Sequence, residues 1–136
     1  MEITVKQVQG RVPVTVLQTH GDLDASSFRD LITRAKDICD EGARDILLDM
    51  SDTPLMGSSG LVALHSVAML VRGEEPPNLE EGMAAFRAAF ADLNRGFEEH
   101  FKLLNPQPLV EKTLEMTGFN KFLEVHTDLE TAIASF

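Results

Sequence analysis

Two adjacent hydroxyls, Ser58 and Ser59, stand where a chain could accept a phosphate. They follow the apolar run Ile46-Leu47-Leu48 and a loop ending in Leu55-Met56-Gly57. They precede Gly60-Leu61 and a stretch whose apolar residues recur at helical spacing. The first turn of a helix carries backbone N–H groups with no partner inside the helix, and its dipole favours negative charge. Ser58 therefore reads as a phosphorylation switch, with Ser59 as the backup acceptor. The plainer reading is that the serines cap the helix, as serines commonly do.

Other chemistry fits these residues poorly. A nucleophile elbow needs Gly-x-Ser-x-Gly. Centred on Ser59 it would require glycine where Leu61 stands, and centred on Ser58, glycine where Met56 stands. His20, His65, His100 and His126 are scattered without metal-ligand spacing. His65 falls about two turns along the helix after Ser58 and reads as a core-edge or surface residue. Cys39 reads as an apolar residue late in a helix. Glu74, Glu75, Glu80 and Glu81 read as solvated charge, and no Walker-type glycine loop is present. The expectation is no catalytic residue, no metal and no cofactor.

The 136 residues suggest one domain, and their net charge of −10 argues against nucleic acid or an anionic membrane as partner. A single cysteine rules out an internal disulfide. The first residues lack a signal peptide's apolar core, and the run Leu61–Val71 is far shorter than a membrane span. A cytoplasmic protein is the expectation.

The elements that must position the serines can be read in order. Ile3, Val5 and Val8 suggest a strand, and Val12 to Leu17 a second, with Pro13 near its start as at an edge. Asp22 to Ser27 is a loop. Phe28, Leu31, Ile32, Ala35, Ile38 and Cys39 form one face of a helix that Gly42 ends. Ile46-Leu47-Leu48 suits a strand covered on both faces. The helix from Ser58 runs to Gly73, and Glu74-Glu75-Pro76-Pro77 breaks the pattern. Phe101 to Leu104 predicts a strand. Asn105-Pro106 predicts a helix start, with Leu109, Val110, Leu114 and Met116 as its apolar side and Gly118 as its stop. Phe122 to Val125 predicts a last strand, and Asp128 caps a final helix. The β-α alternation predicts an α/β fold with a mixed sheet covered by helices.

These segments resemble a known family. Gly21-Asp22-Leu23-Asp24, Leu48-Asp49-Met50-Ser51, Met56-Gly57-Ser58-Ser59-Gly60-Leu61, Leu103-Leu104-Asn105-Pro106 and Leu114-Glu115-Met116-Thr117-Gly118 are similar, in order, to the motifs of STAS domains of the anti-sigma factor antagonists. The resemblance implies a single STAS domain over residues 1–136. It also implies a non-enzymatic partner switch. The unphosphorylated antagonist binds an anti-sigma factor that is also a serine kinase, and phosphorylation at the serine matching Ser58 releases it. Asp22, Asp24, Met56, Gly57, Ser59 and Leu61 would form the partner surface. Gly57 departs from the family pattern, which carries an acidic residue there.

The second departure is an insertion over about residues 74–100. Asn78-Leu79-Glu80-Glu81 reads as a capping box. Leu79, Met83, Phe86, Phe90, Leu93 and Phe97 then recur at spacings of four and three, predicting an amphipathic helix from Leu79 to about Glu99. That seam either packs on its own domain or is exposed, in which case Met83, Phe86, Phe90, Leu93 and Phe97 would mediate a homodimer. Two other functions stay open: a STAS scaffold or sensor subunit without phosphorylation, and a small-ligand-binding module covered by the insertion.

Overall fold

The computed structural model describes residues 1–78 and 82–136. Strands β1 (Glu2–Gln9) and β2 (Pro13–His20) form a hairpin, followed by α1 (Phe28–Asp40), β3 (Ile46–Asp49) and α2 (Ser58–Val71). Then come α3 (Gly82–Ala91) with a 3₁₀ turn (Asp92–Arg95), β4 (Phe101–Leu104), α4 (Pro108–Thr117), a second 3₁₀ turn (Phe119–Lys121), β5 (Val125–His126) and α5 (Leu129–Ala134).

The strands lie in chain order, β1-β2-β3-β4-β5. The hairpin is antiparallel and every later pairing is parallel. Register aligns Val5, Leu17, Leu48, Leu103 and Val125 in one row across the sheet. Because side chains alternate faces along a strand, that row and its neighbours Ile46 and Phe101 face the larger core under α1, α2 and α4. Val14, Val16, Leu47 and Leu104 face the smaller core under α5. Both faces of β3 are covered, which explains its unbroken apolar run. Pro13 begins β2, which lies inside the sheet with β1 as the edge, and the first position spares it a ladder bond.

Helix α1 buries Leu31, Ile32, Ala35 and Ile38 as its periodicity predicts. Cys39 is half-buried, and burial pushes its thiol pKa up, with Asp40 adding to the shift. Helix α2 is buried nearly all round, because α1 flanks one side and α3 the other.

The insertion corrects the sequence reading in two respects, the end of its helix and the face it packs. Its helix ends at Ala91, and Gly96 takes a positive φ of 85° that breaks any continuation towards Glu99. Leu79, Glu80 and Glu81 of the expected capping box lie outside the described residues. The contact face is also rotated: Ala85 and Ala89 are buried, letting α3 approach α2 closely, while Phe86, Phe90 and Leu93 pack half-buried against the main core. Phe90 meets Phe119 edge-on with centroids 5.8 Å apart, and Phe86 lies 4.8 Å from Phe90. Met83 and Phe97, at the two ends, are exposed.

A polar network ties the insertion to α2. His65 is 1% exposed, a core residue and not an edge or surface one. Its Nε2 lies 2.6 Å from Asp92 Oδ2. Arg72 Nε donates to Glu98 Oε1 at 2.6 Å, and its Nη1 lies 3.6 Å from Asp92. Burial works against the Arg72 charge, yet the Glu98 hydrogen bond and the Glu98, Glu74 and Asp92 carboxylates hold its pKa above the ordinary value.

The C-terminal third departs from expectation at both its helix start and its strand. Asn105 takes a left-handed φ of 49°, and its N–H donates to His126 O at 2.8 Å. It is therefore no N-cap. Gln107 takes that place and Pro108 begins α4, which buries Val110 and Leu114 while Leu109 and Met116 face solvent. Strand β5 is reduced to two residues, since Phe119, Phe122 and Leu123 plug the core from a 3₁₀ turn and its flank. Asp128 does cap α5, accepting from the Thr131 N–H at 2.9 Å.

Candidate functional site

The loop after β3 and the loop after β2 are zipped together. The Gly21 N–H donates to Asp52 O at 2.9 Å, Leu23 N–H to Leu55 O at 3.0 Å, and Gly57 N–H to Leu23 O at 3.0 Å. Leu23 and Met56 make an isolated parallel bridge, and Leu23 is wholly buried. Thr53, also wholly buried, donates its hydroxyl to Thr19 O at 3.2 Å and lies 2.6 Å from the Thr19 hydroxyl. From the other side, Gln107 Nε2 donates to Ser51 O at 2.7 Å. Loops are ordinarily the mobile part of a domain. These bonds fix the path of this one up to the first residue of α2.

Ser58 is that first residue, and Gly57 is the N-cap in extended conformation, φ −89° and ψ −177°. The serines thus do not cap the helix. No side chain does, so the first N–H groups of α2 are left without a side-chain acceptor. Ser58 is exposed and Ser59 half-buried. Gly60 shows why the helix can start so close to the Leu23 bridge. A Cβ there would lie 2.8 Å from Leu23 O and 2.4 Å from Met56 Cγ, whereas a Cβ on Gly57 would meet nothing within 4 Å.

The predicted partner residues divide. Gly57 and Asp22 are exposed and Asp24 is half-exposed. The Asp24 carboxylate folds back on its own loop, accepting from the Ser26 hydroxyl at 2.6 Å and the Ser26 N–H at 2.9 Å. The Ser26 hydroxyl bond is the main reason its pKa falls below the usual carboxylate value. Met56 and Leu61 are buried, 8% and 2% exposed, so they brace the loop from beneath and offer no surface to a partner. The expected contact role for those two is thereby corrected: the bridge to Leu23 and the core packing of α2 take their side chains.

Two groups at this seam escaped the sequence reading. Leu55 is 47% exposed, an apolar side chain three residues before Ser58. Alternation along the loop, with Met56 turned inward, was the signal available for it. Asp52 is exposed and lies 2.6 Å from His20 Nδ1, adding a third acidic residue to the rim. The other histidines pair away from Ser58: His65 with Asp92, His100 with Asp45, and His126 with Glu124 and Ser135. Among the described residues no group of three His, Cys, Asp or Glu side chains is placed to hold a metal ion.

The sequence profile of the STAS domain matches residues 4–74, from β1 to the end of α2. The chain belongs to the STAS domain family. The match stops where the insertion begins. No curated protein sequence matches the chain. Among solved structures, a Thermotoga maritima protein assigned as an anti-sigma factor antagonist superposes with a TM-score of 0.69 at 18% identity, over 96% of this chain and 90% of its own. An anti-sigma factor antagonist from Mycobacterium paratuberculosis gives 0.58 at 17% identity, over 97% and 94%. The Bacillus cell fate determinant SpoIIAA gives 0.51 in its phosphorylated form at 21% identity, over 97% and 96%. These likenesses place the STAS domain in a fold shared with anti-sigma factor antagonists, a mixed five-stranded sheet with helices. No helix among the described residues is long and apolar enough to cross a membrane.

Proposed function

We propose that this STAS domain is an anti-sigma factor antagonist in a phosphorylation-controlled partner switch. It binds an anti-sigma factor with serine-kinase activity while Ser58 is unmodified, and phosphorylation of Ser58 releases it. Residues 1–136 act as one domain without catalytic activity of their own. The observation that carries this reading is the exposed Ser58 hydroxyl at the first position of α2, on a loop pinned by the Leu23, Thr53 and Gln107 contacts.

The physics of release follows from that position. A phosphate adds roughly 1.5 to 2 negative charges at pH 7. The uncapped N–H groups of α2 can face it, so the domain itself tolerates the modification. A partner covering Ser58 must instead desolvate the phosphate beside Asp22, Asp24 and Asp52. A hundredfold loss of affinity needs only about 2.7 kcal/mol. Leu55 and the backbone at Gly57 supply the apolar and close-approach parts of the contact surface.

The test is intact mass after incubation with a candidate anti-sigma kinase and ATP, beside a Ser58→Ala variant. One added phosphate on the wild type alone supports the switch and assigns its residue. A stable complex without phosphate transfer would favour the scaffold reading, for which the missing acidic side chain at Gly57 is the specific motive.

A further inference from the structure

Away from the Ser58 loop, a cleft of about 330 Å³ opens between α4, the turn after it and the edge strand β5. Ser58 follows the end of β3, whereas Phe97 precedes the start of the parallel strand β4, so the two lie at opposite ends of the sheet. The cleft's volume is at the low end for ligand sites. Leu114 and Val125 form an apolar floor, and Phe97, 57% exposed, stands as one wall.

The ionised carboxylates of the cleft can only accept hydrogen bonds. Glu111 and Glu115 stand one turn apart on α4, both exposed, and among the described residues neither forms an ion pair. Like charges at that spacing repel and cost the helix stability. Asn120 Oδ1 has no exposed surface and no hydrogen-bond partner. Glu124 is already paired with Lys102 at 3.0 Å. Among the described residues the carboxylates do not gather into a metal-binding group. An occupant must therefore bring donors, positive charge, an apolar stem for the floor and a flat face for Phe97. An arginine side chain has all four: five N–H donors, a methylene stem and a planar cation that stacks on aromatic rings. Lysine lacks the planar face.

We propose that this cleft docks an arginine side chain carried by a basic segment of a partner protein. It is a second interaction surface, separate from Ser58 and independent of the phosphorylation switch. Its occupant reads Phe97 by stacking and Glu111 and Glu115 by charge-assisted hydrogen bonds.

The experiment titrates ¹⁵N-labelled full chain with the peptide Gly-Arg-Gly-Arg-Gly and, separately, with its lysine counterpart. Saturable amide shifts confined to α4, residues 119–125 and the Phe97 segment are expected. Phe97→Ala and the pair Glu111→Gln/Glu115→Gln should each weaken binding at least tenfold, and the lysine peptide should bind several-fold more weakly. All three positions are exposed, and the spectrum itself reports whether each variant is folded. The proposal is overturned by non-saturating shifts spread over the acidic surface, by shifts centred on the Asp22–Ser58 seam, or by equal binding of the two peptides. A concentration-dependent dimer that masks these amides would overturn it in favour of self-association.

Discussion

Replacing Gly60 by alanine separates two forces that act in opposite directions. In an ordinary helical position the change should stabilise the domain, since alanine is favoured over glycine by up to about 1 kcal/mol. Here the new Cβ would meet Leu23 O at 2.8 Å and Met56 Cγ at 2.4 Å. The Met56 side chain can shift, but the Leu23 carbonyl is fixed by its bond from the Gly57 N–H. Overpacking of this kind costs about 1–3 kcal/mol. Taking the middle of that range less the helical gain, the net expectation is a loss of about 1 kcal/mol, which for 136 residues lowers the melting temperature by about 3–4 °C. Gly57→Asp in the same assay is the control. With open space for its Cβ and an unstrained φ, it should gain a few tenths of a kcal/mol as an N-cap. Urea unfolding of the three proteins measures both effects. A Gly60→Ala protein as stable as wild type, or more so, would refute the argument that this glycine sets how closely α2 approaches the Leu23 strand. Capture by the candidate kinase should weaken in parallel, because α2 must back away and carry Ser58 with it.

Two further outcomes follow from the polar network and the caps. Asp92→Asn removes the charge beside His65 and Arg72 and should cost about 1–2 kcal/mol, with faster amide exchange across α3; unchanged exchange there would show that apolar packing alone docks the insertion. Asp24 and Asp128 both have pKa values held below the ordinary carboxylate value, Asp24 chiefly by the Ser26 hydroxyl and Asp128 by the Thr131 hydroxyl. A carboxylate depressed in the folded state contributes stability that is complete above its unfolded pKa and is lost as pH falls through the folded one. Stability should therefore decline as pH drops below about 4, and Asp128→Asn should flatten that decline, which a urea series from pH 5 to pH 2 would measure.

Much of the fold was legible from periodicity because the relevant forces are local. Alternation marked β1 and β2, the unbroken run marked β3, and the helical spacing of Leu31, Ile32, Ala35 and Ile38 marked the buried face of α1. What was missed depends on contacts far along the chain. Asn105-Pro106 carries an acceptable helix-start signal, but the Asn105 N–H is claimed by His126, a strand neighbour 21 residues away. His65 looked peripheral because its partner, Asp92, lies 27 residues on, inside the insertion. In the insertion the large residues dominate the pattern, whereas the small ones, Ala85 and Ala89, make the closest approach. At the site, residue types pointed to Ser58, but only the Leu23–Met56 bridge reveals that Met56 and Leu61 face inward and Leu55 outward.

The insertion's place in the topology has a consequence for how much new sequence the domain can absorb. Parallel strands cannot be joined by a tight turn, so the link from β3 to β4 is a long crossover whatever its content. The crossover from β2 to β3 uses the 25 residues from 21 to 45, while that from β3 to β4 uses the 51 residues from 50 to 100. In polymer terms, doubling the length of a closed loop costs only about 0.6 kcal/mol of chain entropy. That is less than the roughly 0.8 kcal/mol gained by burying one methylene group. The loop-closure part of the penalty is thus small, and the burial of Ala85 and Ala89 and the ring contacts of Phe86 and Phe90 work against the larger cost of ordering the segment itself. Strand register and the Ser58 loop, fixed by bonds that do not pass through it, are left undisturbed. The stretch between α2 and β4 is accordingly where this fold can accept a different inserted segment without altering the bonds that hold the Ser58 loop.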